Sequence, residues 1–100
     1  MKKYVLKEPS KVMDDLFPNV EFYCAMQYKD NNVIEIMNFC EEGEFRFYDS
    51  VLQFKGKDEI FFLTIYDGDY IIKDFGYGSR FKQISKVIFE QSFKQYEEVH

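Results

Sequence analysis

The chain has 100 residues, 46% hydrophobic and 20% aromatic, with 12 Phe, 8 Tyr and no Trp. That is the size of one domain (1–100), and the apolar content excludes disorder. Thirteen Lys and Arg against 18 Asp and Glu leave a net charge of −5, the wrong sign for a general nucleic-acid binder, which must release counterions from phosphate.

The two cysteines, Cys24 and Cys40, are expected to be free, buried thiols. Met1-Lys2-Lys3-Tyr4-Val5-Leu6 is too short in its apolar part for a secretory signal. No apolar run reaches membrane-spanning length, so the expected location is the cytoplasm. Abundant Lys, Asn, Ile, Phe and Tyr with little Gly, Pro and Ala fits AT-rich coding, hence a bacterium or its phage.

In chain order, Tyr4–Leu6 predicts a short edge strand. Ser10 can cap a short helix carrying Val12, Met13, Leu16 and Phe17, which Pro18 ends. Val20–Lys29 alternates as a strand. Val20, Phe22, Cys24, Met26 and Tyr28 lie on one face (face A). Glu21, Tyr23, Ala25 and Gln27 lie on the other (face B). Asp30-Asn31-Asn32 is a turn, and Val33–Cys40 is the next predicted strand. The preferred register sets Cys24 against Phe39 and Met26 against Met37, because a one-residue slip would invert a face.

Glu41-Glu42-Gly43 fits a three-residue hairpin loop with Gly in the left-handed position. The third strand carries Phe45, Phe47, Leu52 and Phe54, with a bulge at Asp49-Ser50. Lys55-Gly56-Lys57-Asp58 turns the chain and sets Leu52 against Phe61. Ile60–Tyr66 is the fourth strand, apolar on both sides. Asp67-Gly68 is a strong hairpin signal, leading to a fifth strand at Tyr70–Phe75. Gly76-Tyr77-Gly78 leaves the sheet. Arg80 to about Glu98 reads as a long helix with Phe81, Ile84, Val87, Ile88, Phe89, Phe93 and Tyr96 on one stripe. The expected fold is therefore α+β. A five-stranded antiparallel, meander-like, strongly curled sheet carries a short N-terminal helix, and a long C-terminal helix packs on face A. Face B is under-covered, so either the sheet curls toward a barrel or face B joins two copies as a homodimer.

Little in the chain suggests chemistry. His100 is the one histidine and stands at the end of the chain, which argues against a histidine triad or a histidine metal site. Buried strand cysteines are usually inert. Gly76-Tyr77-Gly78 before a helix lacks the third glycine, the parallel unit and the downstream acid of a dinucleotide fingerprint. Phe45, Phe47, Tyr48 and Tyr66 are imaginable as a base-stacking surface, but no basic groove accompanies them. No enzyme, cofactor or metal is expected. The strict loop spacing of a calcium site is also missing.

The most suggestive feature follows from the meander. Alternate turns fall at one end of a sheet, about 10 Å apart. Glu41, Glu42 and Glu44 should then crowd one rim with Asp67 and Asp69, flanked by Tyr66 and Tyr70. The opposite rim, Asp30, Lys55, Lys57, Asp58 and Glu59, is mixed in sign. An acidic rim suits a basic protein partner, with carboxylates standing where phosphates would lie. The plainer alternative is that these turns are merely solvated. In physical profile the chain resembles stoichiometric inhibitors, such as immunity proteins for nuclease toxins or phage blockers of host defence nucleases. The expectation is an inhibitor of a basic, nucleic-acid-handling protein. A small ligand- or oligonucleotide-binding β-domain and a dimeric structural subunit are the alternatives.

Overall fold

The computed structural model describes residues 2–8, 22–57, 59–74 and 80–96. Within them are eight strands and two helices. Strands β1 (Lys3–Leu6), β2 (Tyr23–Gln27), β6 (Tyr70–Asp74), β7 (Arg80–Ile84) and β8 (Phe93–Gln95) form a five-stranded sheet in the order β7-β6-β2-β1-β8. Strands β3 (Glu44–Tyr48), β4 (Val51–Lys55) and β5 (Leu63–Ile65) form a separate three-stranded meander. Helix α1 is Val33–Cys40 and α2 is Lys86–Ser92. Every strand pair is antiparallel, so the α+β antiparallel class stands.

The single five-stranded meander does not. Val33–Cys40 is a helix, not a strand. Its buried residues Ile36, Phe39 and Cys40 recur at helical spacing, a period that a short apolar run hides behind an equally good alternation. Asn32 prepares the helix start. Its side chain accepts from the Lys29 amide at 2.9 Å and donates to the Gln27 carbonyl at 2.9 Å. The expected pairings Cys24–Phe39 and Met26–Met37 are therefore absent, and β2 pairs with β1 and β6 instead. Glu41-Glu42-Gly43 joins a helix to a strand. Glu41 has φ 66° and Gly43 has φ 142°, so the positive φ expected at Gly43 is present in a different connection.

Residues 44–55 are two strands. Asp49 and Ser50 both have positive φ, 48° and 65°, and close a two-residue mirror-image turn rather than a bulge. Only Leu63–Ile65 of the predicted Ile60–Tyr66 strand is extended, and Leu52 pairs with Ile65, not Phe61. The Asp67-Gly68 turn forms, with the Asp69 amide donating to the Tyr66 carbonyl at 2.9 Å. It does not make a hairpin, because β5 and β6 belong to different sheets.

The long C-terminal helix is absent too. Ser85, with ψ 152°, breaks the run, and its side chain accepts from the Ile88 amide at 3.4 Å. Phe81 and Ile84 then face opposite cores, as residues an odd number apart in a strand must. β1 is interior, between β2 and β8, not an edge. The predicted Ser10–Phe17 helix, the Gly76-Tyr77-Gly78 exit, Asp14, Asp15, Asp58 and His100 lie outside the described residues.

Alternation in β2 holds. Cys24, Tyr28, Phe22 and Met26 join a core with Ile36, Phe39 and Cys40 of α1 and Leu52, Phe54 and Ile65 of the smaller sheet. Tyr23 and Ala25 join a second core with Ile72, Ile84, Phe89 and Phe93. The larger sheet is thus the middle layer. α1 and the smaller sheet cover face A, and α2 covers face B. Among the described residues no helix is long and apolar enough to cross a membrane.

Candidate partner-binding surface

The acidic residues do not share a rim. Glu44 is opposite Lys55 at one end of the β3–β4 hairpin, and Tyr48 is opposite Val51 at the other. Leu52 pairs with Ile65, so Tyr66 and Asp67 leave the meander at the Tyr48 end. The Gly68 amide donates to the Tyr28 carbonyl at 2.6 Å, and the Tyr28 hydroxyl donates to the Ser50 carbonyl at 3.2 Å. Residues 41–44 and 67–69 therefore lie at opposite poles, separated by about 10 Å of strand or more. The physical reason is the Asp49-Ser50 turn. It makes two strands where the rim argument needed one, and each added strand reverses the end at which the next turn falls.

At the first pole the carboxylates meet cations. Glu44 lies 3.4 Å from Lys55, Glu42 lies 3.6 Å from Lys57, and Glu41 lies 3.8 Å from Lys73. The Glu42–Lys57 pair is 71% and 72% exposed, which makes it worth little to stability. Lys73 is only 7% exposed and also approaches the Phe81 ring. A buried ammonium needs such partners.

At the second pole the residues divide. Asp69 is 8% exposed and structural. Its Oδ2 accepts from the Tyr66 amide at 2.9 Å and from Gln83 Nε2 at 2.7 Å, while its carbonyl accepts from the Tyr28 amide at 2.8 Å. Tyr70 stacks on Phe89 at 3.8 Å, between the larger sheet and α2, and burial pushes its hydroxyl pKa up. Asp69 is buried and Tyr70 half-buried. Asp67 and Tyr66 are exposed. Burial, and then the Asp67 charge, raise the Tyr28 pKa.

Between the poles is a surface the sequence reading did not assemble. Leu52, Phe54 and Ile65 point into the core, so alternation turns Glu44, Arg46 and Tyr48, Val51, Gln53 and Lys55, and Thr64 outward. Phe62 and Tyr66 flank β5 on that same outward parity. The Arg46 guanidinium lies 4.0 Å from the Phe62 ring centroid, with Lys55 Nζ at 5.4 Å, an arrangement that holds the cations flat against the sheet. Had Asp49-Ser50 been taken as a turn, polar-out alternation in Glu44–Tyr48 and Val51–Lys55 would have shown this face.

The cysteines are unsuited to attack. Burial pushes the Cys40 thiol up to about 12, with Lys73 opposing and Glu59 adding to the rise. Cys24 is raised by burial against Lys3 and Lys73. Both are free thiols. Among the described residues no three of His, Cys, Asp and Glu gather closely enough to hold a metal ion.

Compared with protein-family models, curated proteins and solved structures, the chain matches none.

Proposed function

We propose that the protein is a non-enzymatic cytoplasmic binding protein that blocks a protein partner stoichiometrically, meeting it through the outer side of the three-stranded sheet. One observation carries this. Of the nine exposed large hydrophobic residues among those described, Phe47, Tyr48, Ile60, Phe61 and Tyr66 belong to the smaller sheet and its connections, at 51%, 77%, 82%, 79% and 58% exposure. Tyr48 and Tyr66 stand on the outer side, while Phe47, opposite Leu52, takes the inner parity at the edge. Exposed aromatics of this kind mark interaction sites, where they supply anchors inside a polar rim. Glu42 and Glu44 border the patch at one pole and Asp67 at the other. With a net charge of −5, they favour a basic partner and would speed its association. A nucleic-acid-handling protein fits that description. The acidic residues act here as two borders, not as one rim.

The oligonucleotide alternative has one point in its favour, since Arg46, Lys55 and Phe62 share the sheet face with two tyrosines. The acidic borders weigh against it.

The test is capture from a lysate of the source cell by wild type, by Tyr48→Ala/Tyr66→Ala and by Val87→Asp on the exposed side of α2. A single stoichiometric protein held by wild type and Val87→Asp, bound at least tenfold more weakly by the tyrosine variant, supports the proposal. Equal capture by the tyrosine variant refutes it. Binding of a fluorescent oligothymidylate by wild type in place of a protein would establish the alternative.

A further inference from the structure

The edge of the meander is self-complementary, and we infer that it joins two copies of this chain into a continuous six-stranded sheet. Among the described residues β3 pairs with β4 alone. Four of its five residues are exposed. Natural edge strands are normally blunted by charged side chains, lysine above all, by proline or by a bulge. Glu44-Phe45-Arg46-Phe47-Tyr48 has no lysine, proline or bulge, its two charges are opposite in sign, and it leaves Phe47 51% and Tyr48 77% exposed.

Backbone direction limits the registers. The two-residue turn makes Tyr48 and Val51 a hydrogen-bonded pair, so Arg46 and Glu44 also bond inward to β4. The amides and carbonyls of Phe45 and Phe47 then point outward. A twofold axis normal to the sheet keeps each face on its own side, so same-parity residues oppose each other. Three registers remain. Centred on Arg46, the arrangement sets Arg46 against itself, which is unfavourable. Centred on Phe47, it sets Glu44 against Ser50, with no cation. Centred on Phe45, it sets Glu44 of each copy against Arg46 of the other, twice, at the closer non-hydrogen-bonded spacing.

The same register sets Phe47 across from Gly43 of the other copy, where the Phe54 ring of that copy already lies over the glycine. Glu44 lies 3.4 Å from Lys55 within its own chain, so the second copy would place it between two cations. The twofold sets both outward faces on one side, doubling the surface assigned to the partner.

The experiment is sedimentation of the full chain over a wide concentration range. Wild type should show a concentration-dependent monomer–dimer equilibrium. Glu44→Arg and Arg46→Glu should each weaken it at least tenfold while keeping the wild-type circular dichroism. An equimolar mixture of the two should recover dimer, because the paired arginines of the Glu44→Arg chain then face the paired glutamates of the Arg46→Glu chain. A monomer at every concentration, a Glu44→Arg chain that dimerises like wild type, or a mixture that stays monomeric would each overturn the inference. If a charge reversal prevents folding, Glu44→Gln and Arg46→Gln serve instead, and undiminished dimer in both overturns it equally. Partner capture by a monomeric variant separates this inference from the proposed function.

Discussion

Replacing Asp69 by alanine should be costly, although it lies in a turn that looks solvated from the sequence. The carboxylate oxygen Oδ2 holds the Tyr66 amide at 2.9 Å and Gln83 Nε2 at 2.7 Å. It thereby ties the end of the smaller sheet to β7 of the larger one. Hydrogen bonds to a charged group contribute about 1.5–3 kcal/mol each, and a donor left buried without a partner adds its own cost. Both donors keep some access to water, so about 3 kcal/mol is expected for the pair together. In a domain of this size that lowers Tm by at least ~10 °C. Urea unfolding followed by circular dichroism gives the free energy, with Asp67→Ala as the neighbouring exposed control, expected within about 0.5 kcal/mol of wild type. Asp69→Asn keeps an acceptor and should fall between the two. If Asp69→Ala unfolds like Asp67→Ala, the carboxylate does not hold the sheets together.

Gly43→Ala should destabilise by about 3 kcal/mol, because the new Cβ would lie 2.5 Å from the Lys55 carbonyl oxygen and 2.6 Å from Phe54, at φ +142°. Gly68→Ala meets nothing within 4 Å at φ +98°, so only backbone strain of about 1–2 kcal/mol should show in the same urea titration. Ser85→Ala removes one long cap bond of 3.4 Å and should cost about 0.5–1 kcal/mol by thermal unfolding. Cys40 keeps its proton in the folded state to about 12 against an ordinary 9.0. Its contribution is therefore complete below pH 9 and is lost as pH rises toward 12, by up to about 1.4 kcal/mol per pH unit. Urea midpoints between pH 8 and 10.5 should fall less steeply in Cys40→Ala than in wild type, and equal slopes would count against the buried thiol.

What could be read from the sequence was what depends on local period and turn chemistry. Tyr70–Phe75 was expected extended and is so at Tyr70–Asp74. The alternation around Cys24 assigns the correct residues to each core. Where the apolar run was short, the period was ambiguous. Val33–Cys40 alternates acceptably and also repeats at three and four, and only the tertiary position of Ile36 and Phe39 decides between them. Residues 80–96 show the reverse error. Phe81, Ile84 and Phe89 fit a helical stripe, but Ser85 acts as a cap in mid-run, and the part before it is a strand that sends Phe81 to one core and Ile84 to the core it shares with Phe89. The candidate site was lost at one turn. With Asp49-Ser50 taken as a bulge, Glu44 and Asp67 meet at one rim. With it as a turn, they separate, and the Arg46–Phe62 face comes into view. Asp69 and Tyr70 looked accessible because long-range partners such as Gln83 and Phe89 leave no trace near them in sequence.

The two sheets differ in how far their strands lie apart along the chain. The meander uses one contiguous stretch, Glu44 to Ile65, joined only to its neighbours. The larger sheet places β1 beside β8, with Tyr4 opposite Gln95. On a ribosome the small meander could zip while its surroundings were still being made, whereas the middle layer must wait until β8 can meet β1. Until then Phe54 and Ile65 lack Ile71 and Phe81, the members of their core that follow them in the chain, and chaperones have their best opening then.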